Sequence, residues 1–261
     1  MNKKNKTLKA LVALMLTVVV FFVTGCKKED DNNSDGSGSV PENQAKRMSK
    51  MTWIFDEGIY SSQQTFTIVN QLTWSGNQLT NLDYYDGGEL GYTVTFSYDN
   101  GRLCEFVRYG NRSTDTYKCV YSGERLTRVN VSGEEEGSYD FMYGGDGNIS
   151  KIVWNEGGFV FNLTWAAGNV VNEEVMEEGS HIYQYDDKKC PFDDTFALWC
   201  TLEEWEMFYL STNNLVRKQW NSLYGGVSVR NYTYTYDGDY PLTCTYSDDG
   251  GSGNIYYEYV K

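Results

Sequence analysis

Histidine is almost missing from this 261-residue chain, with His181 the only one. Hydrolytic triads, imidazole metal sites and most acid–base pairs need at least one well-placed histidine. His181 follows Gly179-Ser180 and opens the run Ile182-Tyr183-Gln184-Tyr185, where a polar residue at a strand start accounts for it. No C-x-x-C pair, G-x-S-x-G, H-E-x-x-H or P-loop occurs. Zinc sites, serine-hydrolase elbows and nucleotide chemistry are therefore without a sequence signal, and no cofactor is implied. Basic residues are outnumbered 36 to 22, for a net charge of −14. That sign repels nucleic acid and anionic headgroups, so neither is expected as a partner. Proline is down to three, whereas glycine reaches 26 and tyrosine 22. Tyr, Thr, Val and Gly together favour strands joined by tight turns.

One apolar run stands out, and it is at the N-terminus. Lys3, Lys4, Lys6 and Lys9 precede a nearly unbroken apolar segment from Ala10 to Val23, followed by Thr24-Gly25-Cys26. A charged start, an apolar stretch too short to span a bilayer and a small residue make a secretory leader. With Cys26 directly after Gly25, the site resembles a bacterial lipobox, in which cleavage leaves Cys26 as the lipid attachment point. Residues 1–25 are then the signal peptide. Removing its four lysines leaves 18 basic residues against 36 acidic, a net charge near −18. Residues 26–45 read as a flexible tether, charged at Lys27-Lys28-Glu29-Asp30-Asp31 and rich in Asn, Ser, Gly and Asp beyond it. The charged run resembles the export signal of surface-displayed Bacteroidetes lipoproteins. The expectation is an outer-membrane lipoprotein at the cell surface, touching the membrane through its lipid alone. Residues 46–261 suit a single domain.

That domain repeats. Trp74-Ser75-Gly76-Asn77-Gln78-Leu79, Tyr98-Asp99-Asn100-Gly101-Arg102-Leu103 and Tyr121-Ser122-Gly123-Glu124-Arg125-Leu126 share one pattern, and units led by Tyr143, Trp165 and Tyr185 continue it. The intervals shrink from 24 residues to 20, a spacing that marks repeat architecture. Each unit reads as a strand ending in an aromatic, a Gly-centred turn and a strand led by Leu, Ile or Val. Asn100-Gly101 supplies the positive φ angles of a two-residue hairpin. Alternation in Tyr92-Thr93-Val94-Thr95-Phe96 puts one face inside and the other towards water. The fold class is all-β: a large antiparallel, barrel-like sheet of repeated hairpins, about 14 strands by repeat counting, with a short helical insert. After Tyr185 the segment to Phe192 reads as a loop. The insert is expected over Thr201–Phe208, with Thr201 as N-cap and Glu204 completing a capping box.

The run Tyr185-Asp186-Asp187-Lys188-Lys189-Cys190-Pro191-Phe192, the insert, Ser211-Thr212-Asn213-Asn214-Leu215-Val216 and Tyr234-Thr235-Tyr236-Asp237-Gly238-Asp239-Tyr240-Pro241 resemble a family of Bacteroidetes lipoproteins with a domain of unknown function. In that family Asn usually stands where this chain has Cys190. The resemblance implies a porin-like fold in water and no activity. The hairpin units also resemble the YD repeats of Rhs-type shells. A membrane-spanning barrel fits poorly, because Thr, Ser, Asn and charges fall on both strand faces.

Candidate site chemistry is thin. Five cysteines remain after Cys26, namely Cys104, Cys119, Cys190, Cys200 and Cys244. They are open to disulfides or to burial as free thiols. The pairs Asp186-Asp187, Asp193-Asp194, Glu203-Glu204 and Asp248-Asp249 read as solvated surface acids, and the Gly144–Asn148 and Asp248–Asn254 loops as turns rather than metal sites. Aromatics carry the functional expectation. Trp154, Trp165, Trp220, Tyr232, Tyr234 and Tyr236 are the candidate binding surface, since sugars stack on such rings; filling the sheet's core is the competing role. Trp199 is a further aromatic of the same kind, and Trp205 is expected to plug the barrel mouth. The sequence thus points to a non-enzymatic binding or scaffolding module for glycan or protein. A carboxylate-pair carbohydrate hydrolase and a purely structural envelope protein stay open beside it.

Overall fold

The computed structural model describes residues 46–260 apart from 60, 61, 111, 112, 135, 205, 206, 249 and 250. The expected signal peptide (1–25), the expected tether (26–45) with Cys26, and Trp205 lie outside the described residues. The first four strands are β1 (Met48–Ile59), β2 (Ser62–Ser75), β3 (Gln78–Asp86) and β4 (Glu89–Asp99). Next come β5 (Arg102–Gly110), β6 (Thr114–Ser122), β7 (Arg125–Ser132) and β8 (Gly137–Tyr143). These are followed by β9 (Ile149–Trp154), β10 (Phe159–Ala166), β11 (Asn169–Val175) and β12 (Gly179–Lys189). The helix α1 (Asp194–Glu204) and a 3-10 turn (Phe208–Leu210) precede β13 (Asn213–Ser222), β14 (Gly226–Asp237), β15 (Tyr240–Asp248) and β16 (Gly251–Tyr259). Every strand pairs antiparallel with its sequence neighbours, and β1 closes on β16. The result is a closed sixteen-stranded barrel, close to the fourteen strands of the repeat count. The Tyr240–Asp248 strand, which repeat counting passes over, is one source of the difference.

The repeat has a physical cause at one end of this barrel. On each return strand one extra residue is inserted just after the turn, so the register slips at Thr73/Trp74, Ser97/Tyr98, Val120/Tyr121, Met142/Tyr143, Thr164/Trp165 and Gln184/Tyr185. Such bulges sharpen the local twist and re-aim the neighbouring side chain. An aromatic at or near each bulge turns inward and donates to a carbonyl within the first three residues of the previous return strand. Trp74 reaches Met48, Tyr98 reaches Leu79, Tyr121 reaches Leu103 and Tyr143 reaches Leu126. Trp165 reaches Ile149, Tyr185 reaches Val170, Tyr234 reaches Leu215 and Tyr259 reaches Pro241, all eight within 2.7–2.9 Å. The inserted residues Thr80, Cys104, Thr127 and Ser150 bond back across the bulge, to Thr73, Ser97, Val120 and Met142. The turn between β4 and β5 is the predicted one, with Asn100 and Gly101 at φ 48° and 81°.

Alternation sorts the rest. Met51, Trp53, Leu82, Val94, Phe106, Tyr117, Val129, Phe141, Ile152 and Phe161 face inward and are buried. The outward positions between them carry Lys50 with Glu258 (2.8 Å), Lys118 with Glu105 (3.6 Å) and Arg128 with Asp140 (2.6 Å). The same outer face also exposes apolar side chains, among them Val120, Met142, Ile182 and Leu242.

The helical insert lies inside the same end that holds the bulges and both termini. It begins seven residues before the expected start. Asp193, not Thr201, is its N-cap, accepting from the Phe196 and Thr195 amides at 3.0 and 3.3 Å. Thr201 sits within the helix, bonded to the Ala197 carbonyl. The expected Tyr185–Phe192 loop is mostly β12, which runs on to Lys189. Trp199 fills the lumen, its ring within 5.8 Å of Tyr92, Phe106 and Tyr117. The wall straps the plug down: Tyr98 accepts from the Thr195 hydroxyl at 3.1 Å, Tyr139 donates to the Leu202 carbonyl and the Tyr185 hydroxyl is shared between the Val170 and Phe208 carbonyls. Burial pushes the Tyr98 phenol up to about 12, so it stays a donor at any physiological pH.

Candidate functional site

The barrel has a plugged end and a far rim. The far rim carries the turns after β1, β3, β5, β7, β9, β11, β13 and β15. The six aromatics expected to form a binding surface all face the lumen. Trp154 is buried with its ring 4.4 Å from that of Tyr139, and Gly157 lies so close that a Cβ there would sit 2.3 Å from the indole. Trp165 and Tyr234 are spent on the carbonyl ladder. Tyr236 donates to Asp186, which also takes the Asn214 and Lys188 amides. Tyr232 packs near Tyr246, and Trp220 packs on His181 with ring centres 4.4 Å apart. None of the six offers an exposed platform.

Several acids read as surface charges are internal. Glu203 holds Arg108 and the Tyr117 hydroxyl, and Asp115, almost fully buried, faces Arg108 at 3.4 Å and caps the Glu134 amide at 2.8 Å. Burial disfavours the Arg108 charge, but Glu203, Tyr117 and Asp115 more than offset it and hold its pKa above the usual value. Burial and then Glu203 push the Tyr117 phenol far up. Asp248 pairs with Arg230, whose guanidinium lies 4.7 Å from the Tyr246 ring centre. His181 is more than a strand-start residue: its Nδ1 is 3.3 Å from Glu173, which also accepts from Tyr183. The five described cysteines are free, with Cys200 and Cys244 buried. Burial lifts the Cys119, Cys190 and Cys244 thiols to about 12, which makes them inert packing groups. The Gly144–Asn148 loop is a turn closed by Asp146, which accepts from the Asn148 amide and side chain.

Two hollows differ in scale. Beside the plug, Cys190, Phe208, Leu215, Tyr234 and Tyr257 border a void of about 20 Å³, room for one water. At the far rim a recess of about 570 Å³ opens to solvent, lined by Thr65, Phe66, Thr67, Asp86, Gly87 and Gly88. Its geometry follows from register. Phe66 opposes Phe55 across β1 and β2, and the two rings stack at 5.4 Å and 19°. Asp86 opposes Ile68, whose side chain is buried, so Asp86 shares the inward face at the rim. The β3–β4 turn is pinned there by the Gly87 amide on the Thr67 carbonyl at 2.9 Å. The acids nearby are engaged, Asp56 by Thr65 at 2.6 Å and Asp83 by Thr93 at 2.7 Å. The Asp86 carboxylate makes no hydrogen bond or ion pair among the described residues.

Nothing in the sequence sets Phe66 apart, because the run Thr65-Phe66-Thr67-Ile68-Val69 reads as an ordinary strand. A usable signal was present in the charge distribution: no Lys, Arg or His occurs from Met51 to Gly101.

No protein-family model and no curated protein matches the chain. Solved structures do. A porin-like protein from Bacteroides uniformis superimposes with a TM-score of 0.53 at 12% identity, over 82% of this chain and 96% of that one. The fold is porin-like. A second porin-like protein, from Bacteroides vulgatus, aligns over 82% of this chain and 99% of its own at 10% identity, with a TM-score of 0.29.

Proposed function

We propose that this chain is an envelope-tethered recognition module that presents the far-rim recess to a saccharide. The observation carrying the reading is the recess itself: a rim hollow of about 570 Å³ bordered by the Thr65–Thr67 strand, the Gly87-Gly88 turn and Asp86, with Phe66 and Asp86 on the same face of the sheet. Sugars offer apolar C–H faces to rings and hydroxyls to carboxylates, and an open rim hollow leaves an extended chain room to lie across it. The direction of the chain supports it. Both ends of the described chain lie at the plugged end, where the Val260 amide bonds the Arg47 carbonyl at 2.8 Å. A lipid on Cys26, reached through residues 26–45, would hold that end towards the membrane and turn the recess away from it. Binding is favoured over hydrolysis, because a glycosidase needs a second carboxyl across the cleft, and Asp56 and Asp83 are held by threonine hydroxyls.

Calorimetry of the protein against a panel of neutral, amino and acidic oligosaccharides tests the reading. Saturable binding that is lost in Phe66→Ala, on protein with unchanged circular dichroism, is the expected result. Binding that survives Phe66→Ala but disappears in Trp220→Ala would move the site across the rim to the His181 side.

A further inference from the structure

The recess lies in a sector with no cation of its own. From Met51 to Gly101, the span of β1 to β4 almost entire, there is no Lys, Arg or His, while Asp56, Glu57, Asp83, Asp86, Glu89 and Asp99 are all acidic. Elsewhere on the wall acids meet bases across strands, as Lys118 meets Glu105 and Arg128 meets Asp140. Here no such partner is within the sector. Arg108, on the adjoining β5, is committed to Glu203 and Asp115. Asp86 is among the residues lining the recess, with Glu89 paired opposite it across the turn. A carboxylate with no cation beside it is matched best by a donor that brings positive charge, since charge-assisted hydrogen bonds are about twice as strong as neutral ones. A uronate or sulfate would meet uncompensated repulsion.

We infer that the recess selects saccharides bearing a free amino group, with Phe66 against the sugar face and Asp86 accepting from the ammonium. This rests on the saccharide-binding reading above. The full-length chain, purified in mild detergent, is titrated by calorimetry with three probes of equal length at a pH where the amine is protonated. They are oligomers of glucosamine, of N-acetylglucosamine, and of a repeat containing glucuronate. The glucosamine oligomer should bind roughly tenfold tighter than its N-acetylated form, the difference between a charged and a neutral hydrogen bond. The glucuronate probe should bind worst. Asp86→Asn should erase the tenfold preference while retaining the N-acetyl affinity, and the preference should shrink in about 0.5 M salt. Equal binding of the free and N-acetylated forms overturns the amine selection and leaves saccharide recognition standing. Failure of all three probes on folded protein overturns both. Glucosamine binding that ignores both Asp86→Asn and Phe66→Ala overturns the inference too, because it reports diffuse adsorption to the acidic wall.

Discussion

The two ends of this barrel are built to different rules. At the plugged end every hairpin carries the same bulge, and an aromatic donor reaches the carbonyl of the hairpin before it. The helix strapped inside leaves a void of about 20 Å³. At the far rim the turns share no motif, the inward acids are held by different partners, and one recess stays open. The lesson is that the repeated sequence marks scaffold rather than site. The unit that recurs through the chain encodes its closure, and the chemistry available to a ligand lies where the repetition is silent. Loops on a rigid frame are the usual place for function.

The contrast breaks most severely if the plug is cut. Trp199→Ala removes a side chain only 1% exposed that touches three strands. It should cost about 3–5 kcal/mol in urea unfolding. A loss below about 1 kcal/mol would mean the wall stands without its plug. A smaller cut tests the ladder. Tyr143→Phe deletes one donor and strands the Leu126 carbonyl, which should cost about 1–1.5 kcal/mol. Tyr109→Phe, at an exposed far-rim position, should leave the unfolding midpoint where it is. Equal costs at the two sites would erase the distinction between ends.

The outer wall supplies a weaker probe. The hydrogen bond from Arg128 holds the Asp140 carboxyl below the usual carboxylate range. A depressed folded pKa contributes stability above the unfolded value, near about 4, and loses it as pH falls through the lowered value. Arg128→Ala should therefore lower stability slightly at neutral pH, with the gap to the parent closing as pH falls through the lowered Asp140 value, read by urea unfolding at neutral and acid pH. The smallest effect belongs to the recess. Asp86→Asn should change stability by less than about 0.5 kcal/mol, because that carboxylate engages nothing. A clear destabilisation would show that it belongs to the scaffold.

Much of the scaffold was legible. Period, turn glycines and alternation gave an antiparallel barrel, because each depends on neighbouring residues alone. The helix start was misplaced for a related reason. Asp193 and Thr201 are both good caps locally, and only the fit of Phe196, Leu198 and Trp199 into the lumen decides between them. The candidate surface was read from ring counts, which do not distinguish a ring that stacks on sugar from one that donates to a buried carbonyl. Trp165 and Tyr234 show how completely the second role absorbs such rings. Glu173 and Glu203 look like any other acid in sequence. Their partners His181, Tyr183 and Tyr117 become visible only through cross-strand register or through the docking of the helix.

The seam between β1 and β16 sets an order on biogenesis. Met48 meets Tyr259, and Trp53 meets Ile255, across nearly the full length of the domain. Fifteen strands must therefore exist before the first has its second neighbour. Until then two rows of open backbone groups invite pairing with other chains. A polypeptide emerging from the ribosome N-terminus first would carry β1 as a bare edge for the whole of its synthesis. Loss of even the final nine residues would leave a sheet that cannot close, a ready template for aggregation rather than a slightly weaker barrel.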